Sequence, residues 1–244
     1  MKYIITVTAL AFLNTFAVAQ SAEEIIQKVD ENMISSTQIS TSEMVIYGRR
    51  NTRTVTSKNY VEGTENSFTE YLSPAREKGT KMLKLDDQLW IYNPSSDRTI
   101  QISGHMLKQS VMGSDLSYED MMEERELVEM YEPSIIGEEE IDGRPTWKLE
   151  LNAIVDDPTY ESQTIWVDQE RFVPLKQEMF AKSGKLLKRV TLRDVQLFGD
   201  RWYPTKMNYK DVLKDGKGTD FIISDIEFDV DIPAYIFTKA SLRK

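Results

Sequence analysis

The 244-residue chain has no cysteine and a single histidine, His105. The first absence excludes disulfides, thiolate nucleophiles, zinc–thiolate clusters and iron–sulfur sites. The second excludes a multi-histidine metal site, and any Ser–His relay would have to use His105. Basic residues are also outnumbered, 30 Lys+Arg against 40 Asp+Glu. The resulting charge of −10 is spread along the chain, so nucleic acid and anionic membrane surfaces are poor partners. Carboxylate chemistry and binding without chemistry remain. The length suits one domain with a sizeable core.

The N-terminus has the form of an export signal. Lys2 precedes the apolar run Tyr3 to Phe16, and Ala17-Val18-Ala19 fits small-residue cleavage before Gln20. The run is short for a membrane span. These features predict a signal peptide over 1–19, a mature domain over 20–244 and a periplasmic location. Ser21-Ala22-Glu23-Glu24 forms a capping-box pattern, and Ile25, Ile26, Val29 and Met33 follow at helical spacing, predicting one three-turn amphipathic helix.

Period-two alternation then takes over. The expected strands are Met44 to Tyr47, Thr52 to Tyr60, Ser67 to Leu72, Lys81 to Leu85, Gln88 to Tyr92 and Thr99 to Ile102. After an irregular stretch they resume with Ser134 to Ile141, Thr146 to Ala153, Gln163 to Asp168, Leu175 to Phe180, Leu186 to Phe198, Trp202 to Tyr209 and Phe221 to Phe228. Turn residues separate them, among them Arg49-Arg50-Asn51, Asp86-Asp87 and Asp142-Gly143. The expectation is a mainly β (α+β) antiparallel meander of about ten strands, curled or closed to protect its edges. The apolar tail Ile232 to Phe237 is expected to dock on the rim.

The stretch Gly104 to Tyr131 breaks the strand rhythm and reads as short helical pieces. Five of the eleven methionines fall between Met106 and Met130, where chance would place about one. Methionine-rich surfaces repack around partners of varied shape. An irregular excursion between two strand runs suits a lid over a curled sheet. The candidate cavity and lid residues are Leu83, Leu85, Trp90, Tyr92, Ile100, Ile102, Met106, Leu107, Val111, Met112, Leu116, Tyr118, Met121, Met122, Trp147, Leu149 and Leu151. Such a container suits acyl chains, since each buried methylene contributes ~0.8 kcal/mol. No residue is assigned to catalysis, metal binding or a cofactor. Ordinary turns and solvated faces account for Pro74 to Thr80, Glu138-Glu139-Glu140 and Asp156-Asp157.

The signal and early helix, with Tyr71-Leu72-Ser73-Pro74-Ala75-Arg76-Glu77-Lys78-Gly79-Thr80, Leu89-Trp90-Ile91-Tyr92-Asn93-Pro94, Met112-Gly113-Ser114-Asp115-Leu116-Ser117-Tyr118-Glu119-Asp120-Met121, Trp166-Val167-Asp168 and Val173-Pro174-Leu175-Lys176, resemble the LolA-like outer membrane lipoprotein-sorting proteins. The resemblance implies a half-open antiparallel barrel with helices on its concave side. It also implies a periplasmic carrier of lipid or lipoprotein acyl chains, working with an RND-type or ABC-type inner-membrane transporter. Such a carrier would be a monomer when free and touch membranes only in passing. Two rivals stand beside it: an accessory subunit of an RND-type exporter, and a carboxylate-dependent envelope hydrolase.

Overall fold

A computed structural model describes residues 20–48, 51–123 and 125–243. The signal segment 1–19 and the turn residues Arg49 and Arg50 lie outside the described residues. Helix α1 (Ala22–Met33) starts with the expected capping box: the Ser21 hydroxyl accepts from the Glu24 N–H, and the Glu24 carboxylate accepts from the Ser21 N–H.

Thirteen strands follow, one for each segment read from the sequence and more than the overall figure of about ten. They are β1 (Thr37–Tyr47), β2 (Thr52–Glu62), β3 (Asn66–Ser73), β4 (Lys81–Leu85), β5 (Gln88–Asn93), β6 (Arg98–Ile102), β7 (Tyr131–Ile141), β8 (Arg144–Ala153), β9 (Ser162–Asp168), β10 (Pro174–Phe180), β11 (Leu186–Phe198), β12 (Arg201–Asp211) and β13 (Thr219–Phe228). All pair antiparallel in one curled, unclosed sheet of order β6-β5-β4-β3-β2-β1-β13-β12-β11-β10-β9-β8-β7. Register shifts at Thr41/Ser42 and Thr56/Ser57 fall on neighbouring strands, where bulges add local twist and bend the sheet.

This order has a geometric consequence. Because the first and last strands pair in the middle of the sheet, its two free edges, β6 and β7, are consecutive in the chain. The segment joining them must therefore pass from one edge to the other across the open side. That segment is Ser103 to Met130, built of 3-10 turns at Gly104–Lys108 and Val111–Gly113 and the short helices α2 (Tyr118–Met122) and α3 (Leu127–Met130). The strand order requires this connection, and its packing on the inner cluster of β1 to β6 makes it a lid.

Three apolar clusters hold the layers together. Ile25, Ile26 and Val29 of α1 pack on Tyr131, Leu149, Leu151, Ile165 and Val167, filling one half of the concave face. On the other half, Met44, Val55, Tyr71, Met82, Leu89, Ile91 and Ile102 receive the lid residues Met106, Leu107, Met112, Tyr118, Met121 and Met122. The third cluster is on the convex face. Phe68, Leu83 and Trp90 are covered there by Ile232, Phe237 and Leu242 of the tail. The tail docks on the outer wall, not on the rim, because strands β3 to β5 carry apolar side chains on both faces and the outer set needs its own cover.

Candidate functional site

Between α1, the lid and the concave floor lies a cavity in adjoining lobes that share Glu123 and Tyr209 among their walls, with Asp120 common to two of them. Its apolar lining comes from Met44 and Tyr71 on the floor, Tyr203, Met207, Phe221 and Ile223 on β12 and β13, and Val111, Leu116 and Met121 of the lid. Tyr209 and Phe221 meet edge to face, with ring centroids 5.2 Å apart.

The floor beneath is polar. Cross-strand register places Ser40, Asn59 and Thr69 in one row, with Ser42 and Ser57 beside it, and all five line the cavity together with Gln38 and Ser67. The Asn59 amide donates to Ser42 Oγ at 3.0 Å, and Ser42 and Ser57 are 3.2 Å apart. Gln163 and Gln177 bring two further amides to the far wall and bond to each other.

Charged groups reach the cavity from the lid and its supports, and each is engaged. Asp120 closes the α2 capping box with Ser117, accepts from Lys188 Nζ at 3.1 Å, and accepts from the Tyr160 hydroxyl. Burial, and then the Asp120 carboxylate, push the Tyr160 hydroxyl pKa up, so Tyr160 stays protonated and donates. Asp115 accepts from the Asp211 N–H at 3.0 Å and the Thr219 hydroxyl at 3.1 Å. Lys188 also donates to the Asp115 carbonyl at 2.6 Å, and Lys214 donates to Ser110 Oγ at 2.7 Å. The lid is thereby clamped to the β11–β13 side of the barrel, while Arg53 on β2 holds the Met112 carbonyl. Glu123 pairs with Arg125 at 2.9 Å.

Asp30 ties α1 to the far end of the lid. Its carboxylate accepts from the Leu127 and Val128 N–H groups at 3.0 and 3.1 Å, an anionic cap on the first turn of α3. Burial pushes its pKa up to about 6; the two N–H bonds pull the other way, and Glu126 and Glu129 add to the rise. A carboxyl raised above its unfolded value binds its proton more tightly when folded. Its contribution therefore favours the fold increasingly as pH falls from about 7 to about 4. Urea unfolding of wild type and Asp30→Asn over that range should show wild type gaining stability relative to the variant toward low pH. A constant difference would contradict the raised pKa.

The structure sorts the seventeen sequence candidates into five places. Val111, Leu116 and Met121 line the cavity. Ile100, Ile102, Met106, Met112 and Tyr118 line a separate cleft between lid and edge strand β6. Leu107 and Met122 are packed into the lid's apolar contact with the sheet. Trp147, Leu149 and Leu151 face inward, as alternation implied, but belong to the cluster with α1. Leu83, Leu85, Trp90 and Tyr92 are on the convex face with the tail, and their assignment to the cavity is corrected: Leu89 and Ile91 hold the concave positions of β5. Trp90→Ala should therefore lower unfolding stability by about 3 kcal/mol through loss of packing against the tail. Its acyl-probe affinity should equal wild type in a fluorescence titration; a tenfold loss of affinity would restore Trp90 to the cavity.

Sequence reading missed the polar floor and the β12–β13 wall. The signal was present as Gln38, Ser40 and Ser42 at spacing two, in the part of β1 preceding the strand's expected start at Met44. Among the described residues, no cluster of three or more acidic or histidine side chains could hold a metal, and no helix is long and apolar enough to cross a membrane.

Comparison with known proteins adds the following. Residues 63–244 match a family described as "Uncharacterized protein". No curated protein matches significantly. Among solved structures, an outer membrane lipoprotein-sorting protein domain from Vibrio parahaemolyticus is similar at 24% identity and TM-score 0.80, covering 91% of this chain and 98% of that one. A DUF1329 family protein from Desulfovibrio piger is similar at 24% identity and TM-score 0.82, covering 91% and 97%. A LolA superfamily protein from Nitrosomonas europaea is similar at 28% identity and TM-score 0.74, covering 91% and 100%. The fold is the LolA-like fold that the sequence motifs implied.

Proposed function

The chain belongs to the family matched over residues 63–244 and has a LolA-like fold, and we propose that it is an exported periplasmic carrier that shelters acyl chains of lipids or lipoproteins in the concave cavity and passes them from an inner-membrane transporter toward the outer membrane. The observation that carries this reading is the lid. The strand order obliges a methionine-rich segment to bridge the two free edges, and that segment roofs a cavity walled by Met44, Tyr71, Met121, Met207 and Phe221. One sixteen-carbon chain buried there would contribute on the order of 10 kcal/mol before ordering costs.

Binding, not catalysis, is the role proposed. The acidic runs Glu138-Glu139-Glu140 and Asp156-Asp157 are exposed, and the cavity carboxylates Asp120 and Asp30 are spent on capping and on holding the lid. A fluorescent fatty acyl probe should bind at one site and be displaced by lipid extracted from the protein's own envelope. Absence of saturable probe binding would overturn the carrier reading.

A further inference from the structure

The floor and the charged groups around it bear on what part of a lipid the cavity accepts. Seven uncharged polar residues from β1, β2 and β3 point into it: Gln38, Ser40, Ser42, Ser57, Asn59, Ser67 and Thr69. Two of them are nearly inaccessible to solvent, Ser40 at 5% and Ser57 at 8% exposure. Ser40 Oγ accepts from Gln38 and Asn59, and among the described residues its own hydroxyl hydrogen goes to no acceptor. A purely apolar cargo would leave this floor facing hydrocarbon, which costs free energy for every unmatched hydroxyl and amide. A cargo with ester, amide or hydroxyl groups at that depth would match it.

Ionised cargo fares worse. The charged residues that line the lobes are Asp30, Asp120, Glu123, Arg125 and Lys188, an acidic majority. Their cations are committed: Arg125 pairs with Glu123, and Lys188 lies between Asp120 and Asp211 while donating to the Asp115 carbonyl. Another buried cation near the floor, Lys84 in the cross-strand row of Ser67, donates to the Thr64 carbonyl at 2.7 Å and has further contacts. A phosphate drawn inside would give up its water beside carboxylates whose lining cations are already paired with them.

Resting on the carrier reading above, we propose that the cavity selects lipids whose polar portion is uncharged, with ester, amide or hydroxyl groups laid on the Ser40–Ser42–Ser57–Asn59 floor, and discriminates against lipids that must bring a phosphate inside. Two sources share this chemistry: neutral glycerolipids, and the N-acylated, S-diacylglyceryl terminus of a lipoprotein.

The test is displacement of an uncharged fluorescent acyl ester from the full chain by short-chain lipids below their micellar concentrations. Dioctanoylglycerol should displace it at a concentration at least tenfold lower than dioctanoyl phosphatidylglycerol or dioctanoyl phosphatidylcholine. An N-acylated, S-diacylglyceryl peptide measured alongside identifies the source: preference for it over dioctanoylglycerol points to lipoprotein, and the reverse to neutral glycerolipid. Asn59→Leu should narrow the gap between neutral and phosphate-bearing lipids; if that variant does not fold, Ser42→Ala makes the same test. Equal displacement by all lipids, or stronger displacement by the phospholipids, overturns the inference and leaves the carrier reading standing. Failure of the probe itself to bind overturns both.

Discussion

Met121→Asp lowers the affinity of the cavity for an acyl probe by roughly thirtyfold, a loss of ~2 kcal/mol, while the sheet keeps its secondary structure and cooperative unfolding. Met121 lies on α2, lines the cavity and packs with the apolar cluster of β1 to β6. Aspartate there removes dispersion contacts with the cargo. It also places a third carboxylate near Asp120 and Glu123, which already line the same lobe. The side chain can escape part of the cost by rotating outward or taking up a proton, which holds the effect below that of a fully buried charge. Circular dichroism together with a probe titration checks the expectation. Unchanged affinity would remove the lid from the binding site.

The clamp on the lid has the second large effect. The Lys188 and Asp120 side chains are 12% and 9% exposed, so their 3.1 Å contact is shielded from water and salt. Replacing the cation by a neutral side chain of similar length, Lys188→Met, leaves Asp120 without its counter-charge and takes the hydrogen bond from the Asp115 carbonyl. Removing one partner of a buried charged pair costs more than removing both, because the other charge stays behind. A cost of ~2 kcal/mol, falling on the closed lid, raises the open population by on the order of thirtyfold. Hydrogen exchange should then accelerate in 111–122 but not in β8 or β9, and bound probe should dissociate faster by a similar factor. Equal exchange in the two proteins would show that the clamp does not hold the lid.

Much of this architecture is legible in the chain itself, because turn residues punctuate the strands and the middle segment breaks their rhythm. The capping box at Ser21 was legible for the same local reason: a side chain three residues from its partner leaves a spacing signature. Which face of a strand meets the cavity was not. Alternation shows that Leu83 and Leu85 share a face, but β4 and β5 are apolar on both sides because the tail covers the outer one. Parity alone cannot tell a wall that faces cargo from one that faces a distant segment. The floor escaped for the opposite reason. In Thr37 to Ser42 polar residues fill nearly every position, so hydrophobic periodicity has nothing to register. The pairing of β1 with β13, which makes the lid a bridge between edges, is a long-range contact with no local trace.

The central claim is that the roofed cavity carries lipid. Native mass spectrometry of the protein purified from its own compartment, followed by lipid extraction, tests it most directly. The expected result is a bound species carrying acyl chains, near one equivalent per chain and depleted in Met121→Asp. Protein recovered free of lipid, with no gain of mass on incubation with its own envelope extract, would contradict it.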